Sequence, residues 1–330
     1  MAQNGRIVGL DISKLKVDGC IRSLGQRRSA PSTPEGHGEM ISWLEANGVG
    51  LAVMEASGGY ERSWARALRA AGIAVRIVDP KRVRHFAKSA GRLAKSDPID
   101  AEMIAWFAET FPDAASQPQD ADREELAMLV KARAALMQAK TDIGNHGEHS
   151  QPRAAEKAFA AVRRSLDTQL MQLEAAIAGK IAATARFAAL AEIIESVPGL
   201  ARHTAAALIA WMPELGLVDQ KAIAALIGTA PYDDDSGNRR GDRHIRGGRK
   251  SMRNLLYMPT MGAATQHNPV LNAYYQRLRA KGKEAKVAII ACMRKLIVIL
   301  NTMLARGEKW DPSRHQATAA PSGRRIAATA

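Results

Sequence analysis

Cysteine is nearly absent from this 330-residue chain. Cys20 and Cys292 are its only two, which excludes a disulfide framework and a cysteine-built zinc site. Acidic charge is also in deficit: 47 Lys and Arg stand against 33 Asp and Glu, leaving a formal charge of +14. The excess is clustered, which favours a nucleic-acid partner over a merely soluble basic surface. No apolar run reaches the roughly 18 residues of a spanning helix, and neither end carries a basic amphipathic anchor. Met1-Ala2-Gln3-Asn4-Gly5-Arg6 lacks the apolar core of a signal peptide. These absences argue against a membrane partner and fit a reducing, cytoplasmic location.

What is present begins with an alternating pattern. Arg6 to Ile12 reads as a buried strand and Val17 to Leu24 as a second strand paired with it. Glu35 to Asn47 has helical spacing, and Gly50 to Met54 is a short apolar strand. A helix over Glu61 to Ala71, a strand over Ile73 to Val78 and a helix from Pro80 follow. This predicts an α/β domain, a mixed sheet flanked by helices. Into it fall acids at marked places. Asp11 ends the first strand and Glu55 a later one, while Asp97 and Asp100 lie three apart in Lys95-Ser96-Asp97-Pro98-Ile99-Asp100-Ala101. Pro98 suits the first turn of a helix, which puts both acids near one face of its N-terminus. Clustered acids need a neutralising cation, and hard, oxygen-preferring Mg2+, with Mn2+ as its substitute, suits phosphoryl transfer. The competing reading makes Asp97 an N-cap and Asp11 a turn residue. Each acid alone supports that reading; the four together support the metal.

Pro112 to Asp122 is polar with two prolines and reads as a boundary. Helical spacing then runs from Arg123 to Ile143 and from about Glu156 to Ala189, predicting an antiparallel helical hairpin or coiled coil. Projection from the body for subunit contact and packing on its own domain are both open. Ser196-Val197-Pro198-Gly199-Leu200-Ala201-Arg202 resembles the turn of a helix-hairpin-helix element, in which Gly199 and Arg202 would meet a DNA phosphate. The remainder predicts a mainly helical C-terminal region with helices at Met252 to Thr265, Val270 to Leu278 and Val287 to Leu304.

Within that region Asp233-Asp234-Asp235-Ser236-Gly237 opens a basic stretch. Arg239, Arg240, Arg243, Arg246, Arg249, Lys250 and Arg253 follow, with Gly241, Gly247 and Gly248 between them, a composition suited to wrapping a phosphodiester. The residues alone favour a Ser-Gly turn before a phosphate-binding loop. A nucleophilic Ser236 requires something to activate its hydroxyl.

The motifs Gly9-Leu10-Asp11-Ile12-Ser13, Met54-Glu55-Ala56-Ser57-Gly58, Lys95 to Ala101, Leu226-Ile227-Gly228-Thr229-Ala230-Pro231, Gly247 to Met258 and Ala273 to Lys283 occur in one order over roughly residues 5 to 310. In that order they resemble the IS110 family of insertion-sequence transposases, related to the Piv-type DNA invertases. The resemblance implies an RNase H-like, RuvC-like first domain with Asp11, Glu55, Asp97 and Asp100 as metal-binding catalytic acids. It implies Ser236 as a nucleophile forming a phosphoserine intermediate on the way to a Holliday junction. Its further implications are donor and target DNA, a structured non-coding bridge RNA, and a dimer or tetramer with active sites shared between subunits. A bacterial, nucleoid-associated location belongs with them. The expected division is a catalytic domain over 1–112, a helical hairpin over 113–190, a serine-bearing transposase domain over 191–310 and a basic, disordered tail over 311–330. Two alternatives remain beside it: a metal-dependent nuclease acting on branched DNA with water, and a non-catalytic architectural DNA-binding protein.

Overall fold

The computed structural model describes residues 5–92, 97–112, 120–147, 152–232 and 244–315. The chain separates into two compact units, Met1–Pro118 and Gln119–Ala330.

The first unit is built on β1 (Arg6–Ile12), β2 (Lys16–Ile21), β3 (Gln26–Pro31), α1 (Pro34–Ala46), β4 (Val49–Glu55), α2 (Glu61–Ala70), β5 (Ala74–Val78), α3 (Pro80–Ser89) and α4 (Asp97–Thr110). The five strands form one sheet in the order β3-β2-β1-β4-β5. β1, β2 and β3 are antiparallel neighbours, while β4 pairs parallel with both β1 and β5. The second predicted strand stops at Ile21, and a single 3-10 turn takes Arg22–Leu24.

Helices cover both faces, which is why β1 and β4 read as near-continuous apolar runs. On one face Val8, Leu10 and Ile12 pack with Met40, Leu44, Trp64 and Leu68 of α1 and α2. On the other, Leu51, Val53 and Val78 pack with Val83 of α3 and Met103, Ile104 and Phe107 of α4. Local chemistry starts these helices: Thr33 accepts from the Gly36 amide ahead of α1 and Asp79 from Lys81 ahead of α3, each with proline in the first turn.

The second unit opens with α5 (Ala121–His146) and α6 (Arg153–Ala183). Ion pairs Arg133–Glu174 at 2.6 Å, Lys140–Asp167 and Lys180–Asp122 at 3.0 Å match rising numbers on one helix with falling numbers on the other, so the two run antiparallel. Buried residues are confined to Leu126, Ala127 and Val130 of α5 and Leu170 and Ile177 of α6. The end of the pair nearest residues 148–151 therefore has little core of its own. A break at Thr184 separates α6 from α7 (Ala185–Glu195), where the sequence pattern predicted one continuous helix.

Next come α8 (Arg202–Trp211), α9 (Gln220–Leu226), β6 (Pro231–Tyr232), β7 (His244–Ile245), α10 (Lys250–Gly262), α11 (Pro269–Ala280), α12 (Ala285–Arg306) and α13 (Pro312–His315). α10 contains Pro259 and passes into a π turn over Ala263–His267, as expected where proline removes a ladder hydrogen bond. α12 corrects the reading that no segment is apolar enough to span a membrane: its best 18-residue window has a mean hydropathy of 2.0. It is the central core helix of this unit, burying Ile289, Met293, Leu296, Ile297 and Leu300. A helix so largely apolar is what such a position requires.

Candidate active site

β1 and β4 run parallel with Gly9 opposite Val53 and Leu10 opposite Met54. Continuing that register brings Asp11 beside Glu55 at the C-terminal ends of the two strands. Side chains alternate along a strand, so Asp11 shares the face of Gly9, and Glu55 the face of Leu51 and Val53. That is the face covered by α4, and the ends of parallel strands are where α/β sheets bind ligands.

Gly9 explains how close α4 comes. A Cβ at Gly9 would stand 2.5 Å from the Ala105 amide nitrogen and closer still to the Ala101 carbonyl oxygen. The helix backbone thus rests directly on β1, one residue after Asp100. Ion pairs Arg22–Glu109 at 2.5 Å and Arg27–Glu102 tie the same helix to the antiparallel side of the sheet. Asp11, Glu55 and Asp100 are all half-buried. Of Asp97 only the backbone is described, as the first residue of α4.

The donor chemistry, carboxylate oxygens only, suits a hard divalent cation. Among the described residues, no three His, Cys, Asp or Glu side chains come together as a metal-holding group. The topology supplies the shared face, and the side chain of Asp97 is not among those described.

Two further acids bear on Asp11 and Glu55, neither singled out by the sequence motifs. Asp18 of β2 lies directly across from Asp11 in the antiparallel ladder and is only 8% exposed. Like charges so placed repel; Asp18 is held by Lys16 at 2.8 Å and by the Ser29 hydroxyl. Glu61 accepts from the Ser57 amide at 3.0 Å, the Ser57 hydroxyl at 3.1 Å and the Gly59 amide at 2.8 Å. Its carboxylate therefore orders the loop that leaves Glu55. Only a cross-strand register reveals Asp18, whereas Glu61, six residues after Glu55, was legible as a helix-start acid.

Ser236, Arg239, Arg240 and Arg243 lie outside the described residues, as do Asp233, Asp234 and Asp235. What is described is the footing of their segment. β6 and β7, which flank residues 233–243, pair antiparallel, with Pro231 opposite Ile245 and Tyr232 opposite His244. Below this, Gly228 and Gly248 meet backbone to backbone at φ +71° and +65°. A Cβ on Gly248 would stand 2.5 Å from the Gly228 Cα. The Arg249 amide donates to the Leu226 carbonyl at 2.7 Å.

Two of the basic residues predicted to meet phosphate are committed to this footing. Arg249 grips Glu214 with both guanidinium ends, at 2.7 and 2.5 Å, and donates to the Trp211 carbonyl at 2.9 Å. Arg253 donates to the carbonyls of Gly228 at 3.2 Å and Gly247 at 3.0 Å. Arg246 and Lys250 are exposed. Burial alone would raise the Glu214 carboxyl, but the hydrogen bonds and charge of Arg249 outweigh it and hold it below the usual glutamate range. Because the folded-state value is depressed, the pair stabilises the fold above the ordinary glutamate range and loses that contribution as pH falls through it. Arg249→Ala is expected to lower stability by about 1 kcal/mol at neutral pH, the pair being partly exposed, and by much less near pH 3. Melting curves of both proteins at the two pH values check this; an equal gap at both would show that the pair does not act through the carboxylate.

At the Pro198-Gly199 turn, Gly199 has φ +94° and a Cβ there would stand 2.7 Å from that of Ala263. α8 then starts at Arg202, which is exposed, with no side chain capping the helix. An uncapped N-terminus with an exposed arginine suits a phosphate.

Comparison with known proteins bears on both units. A transposase model of the IS110 DEDD type matches residues 8–148. The model described as transposase IS116/IS110/IS902 family matches residues 191–276. The pilin gene-inverting protein of Moraxella lacunata is 24% identical over 318 residues, covering 94% of this chain and 98% of its own. That of Moraxella bovis gives the same identity and coverage. An uncharacterized 43.6 kDa protein of insertion element IS110 from Streptomyces coelicolor is 25% identical over 221 residues, 64% of this chain and 54% of its own. With both family models matched in order and the two gene-inverting relatives aligned nearly end to end, this chain belongs to the IS110 family of transposases.

Proposed function

We propose that this protein is a DNA transposase or site-specific recombinase that cuts and exchanges strands through a covalent serine link. The observation that carries the reading is the convergence of Asp11, Glu55 and the Asp97–Asp100 end of α4 on one sheet face, in a chain that matches both family models in order. The strand order β3-β2-β1-β4-β5, with an antiparallel β1–β3 meander and parallel β4 and β5, supports an RNase H-like first domain over residues 1–112. The hairpin over 113–190 serves subunit contact, and residues 191–310 carry the nucleophile and the DNA-binding turn.

In this reading Asp11, Glu55, Asp97 and Asp100 hold a divalent cation, Mg2+ or Mn2+, which when bound supplies charge stabilisation at the scissile phosphate. Ser236 gives up its hydroxyl proton as Oγ bonds to phosphorus, the P–O3′ bond breaks, and the leaving oxygen takes a proton to become a free 3′ hydroxyl. One phosphodiester replaces another, so strands rejoin without a high-energy cofactor. Gly199, Arg202, Arg246 and Lys250 bind the backbone of donor and target DNA, and the loop arginines Arg239, Arg240 and Arg243 extend that surface. Sequence choice is delegated to a structured RNA paired with both DNAs, in a cytoplasmic assembly whose subunits share active sites.

The test is a trap for the intermediate. Protein co-expressed with the DNA flanking its gene is mixed with element-junction and target DNA and Mg2+, denatured and searched for a DNA-linked peptide. An adduct at Ser236 is expected, absent from Ser236→Ala and from Asp11→Asn. Cleaved DNA without an adduct in the wild type would instead identify hydrolysis by water.

A further inference from the structure

The segment from Ala273 to Lys283, which resembles a family motif in the sequence, has no task in the proposed function. In the structure it forms most of α11 and the turn after it, packed against α12. Between these helices lies a concavity of about 400 Å³ lined by Pro269, Val270, Ala273, Tyr274, Arg277 and Lys295. Two cations meet there over one aromatic ring. The Arg277 guanidinium carbon stands 5.1 Å and the Lys295 Nζ 4.9 Å from the centroid of Tyr274.

Half-buried cations elsewhere in this unit have acidic or carbonyl partners: Arg249 has Glu214, Arg133 has Glu174, Lys180 has Asp122 and Glu125, and Arg123 and Arg253 have backbone carbonyls. Arg277 and Lys295 have none among the described residues, where neither side chain makes an ion pair or hydrogen bond. Lys295 is half-buried on α12. Burial, and then the positive charge of Arg277, push its ammonium below the usual lysine range. Tyr274 offsets part of this through its ring, since the electron-rich face of an aromatic ring attracts a cation. The ring also fixes the two charges side by side, beside a helix whose first turn holds no acid. A larger cleft of about 720 Å³ in the same unit lacks this property, because its Arg133 is already neutralised by Glu174.

We propose that Arg277 and Lys295, braced on Tyr274, form a binding site for one phosphate group of a nucleic-acid strand, apart from the Ser236 segment. An oxygen bridging the two cations would relieve their mutual repulsion, and the concavity would hold the attached sugar. Arg279, Lys281, Lys283 and Lys286 follow in sequence and add to the positive field on the approach. The site rests on the nucleic-acid reading above but not on the chemistry at Ser236, so its test uses binding alone.

Full-length Ser236→Ala protein, unable to react in that reading, is titrated against labelled duplex DNA and, separately, labelled single-stranded RNA over a range of salt. Lys295→Gln and Arg277→Gln are each expected to weaken binding about three- to ten-fold. Each should also reduce the slope of log K against log salt by about 0.9 on duplex or 0.7 on a single strand. Lys295→Arg should retain the slope, which a purely packing role for Lys295 would not predict. The probe whose slope falls identifies which strand sits in the site. Arg277 is exposed, so its variant keeps the fold if Lys295→Gln does not. Slopes unchanged from the parent in both glutamine variants and with both probes would overturn this site while leaving the recombinase reading intact. A parent that binds neither probe would overturn both.

Discussion

Alanine at Gly9 is expected to abolish strand cleavage while leaving the protein folded. The added methyl would press on the α4 backbone, 2.5 Å from the Ala105 amide nitrogen, and backbone cannot swing aside as a side-chain tip can. β1 is the middle strand of five and has helices on both faces. The helix must therefore move, and with it the turn carrying Asp97 and Asp100. Overpacking of this kind costs about 1–3 kcal/mol, and a shift of roughly 1 Å in a catalytic group lowers rates on the order of 100-fold. Adduct formation measured beside the melting temperature separates the two effects. Gly19 is the control on the neighbouring strand: a methyl there would meet only side-chain atoms of Leu10, Trp43 and Met40, at 3.2 to 3.4 Å. Its alanine variant should retain activity. Cleavage at the wild-type rate by Gly9→Ala would mean that the docking of α4 does not set the geometry of the acids.

Gly248→Ala is expected to have a comparable effect through the second unit, beside the strands that flank the Ser236 segment. Its φ of +65° is strained for any L side chain, and its Cβ would lie 2.5 Å from the Gly228 Cα and 2.7 Å from the Ala225 carbonyl oxygen. Both penalties act on the footing that holds β6 and β7 together. The variant should lose on the order of 1–3 kcal/mol of stability and most of its covalent adduct, yet bind DNA through the Pro198-Gly199 turn nearly as the parent does. Gly247 isolates the strain from the clash, because it has φ +66° and an added methyl would meet nothing within 4 Å. Gly247→Ala should cost only about 1 kcal/mol and spare the adduct. If both alanine variants behave alike, the glycine-to-glycine contact is not what positions the serine segment.

Much of the first unit was legible in the chain because β1, β4 and β5 are buried on both faces and their helices repeat with helical spacing. β3 was not. Gln26-Arg27-Arg28-Ser29-Ala30-Pro31 is polar and almost wholly exposed, an edge strand that exists because β2 offers it a ladder. β6 and β7, two residues each, carry no period to detect. Arg249 and Arg253 looked like phosphate ligands because a basic run does not disclose which of its members face inward. Glu214, which takes Arg249, lies 35 residues away.

By itself the amino-acid sequence determined the α/β character of the first region and the helical character of the rest, the strands that deliver Asp11 and Glu55, and the order of motifs that marks the family. Those properties are written in local pattern, in apolar period, turn residues and short spacings. Tertiary structure alone decided that Asp11, Asp18 and Glu55 share a face, that α4 lies against Gly9, and that Gly228 and Gly248, twenty residues apart, meet backbone to backbone. It also brought Arg277 and Lys295 together over Tyr274 without a carboxylate between them. The physical reason is that register, close backbone approach and charge compensation are properties of residues far apart in sequence, fixed only when the sheet and the helical core have packed.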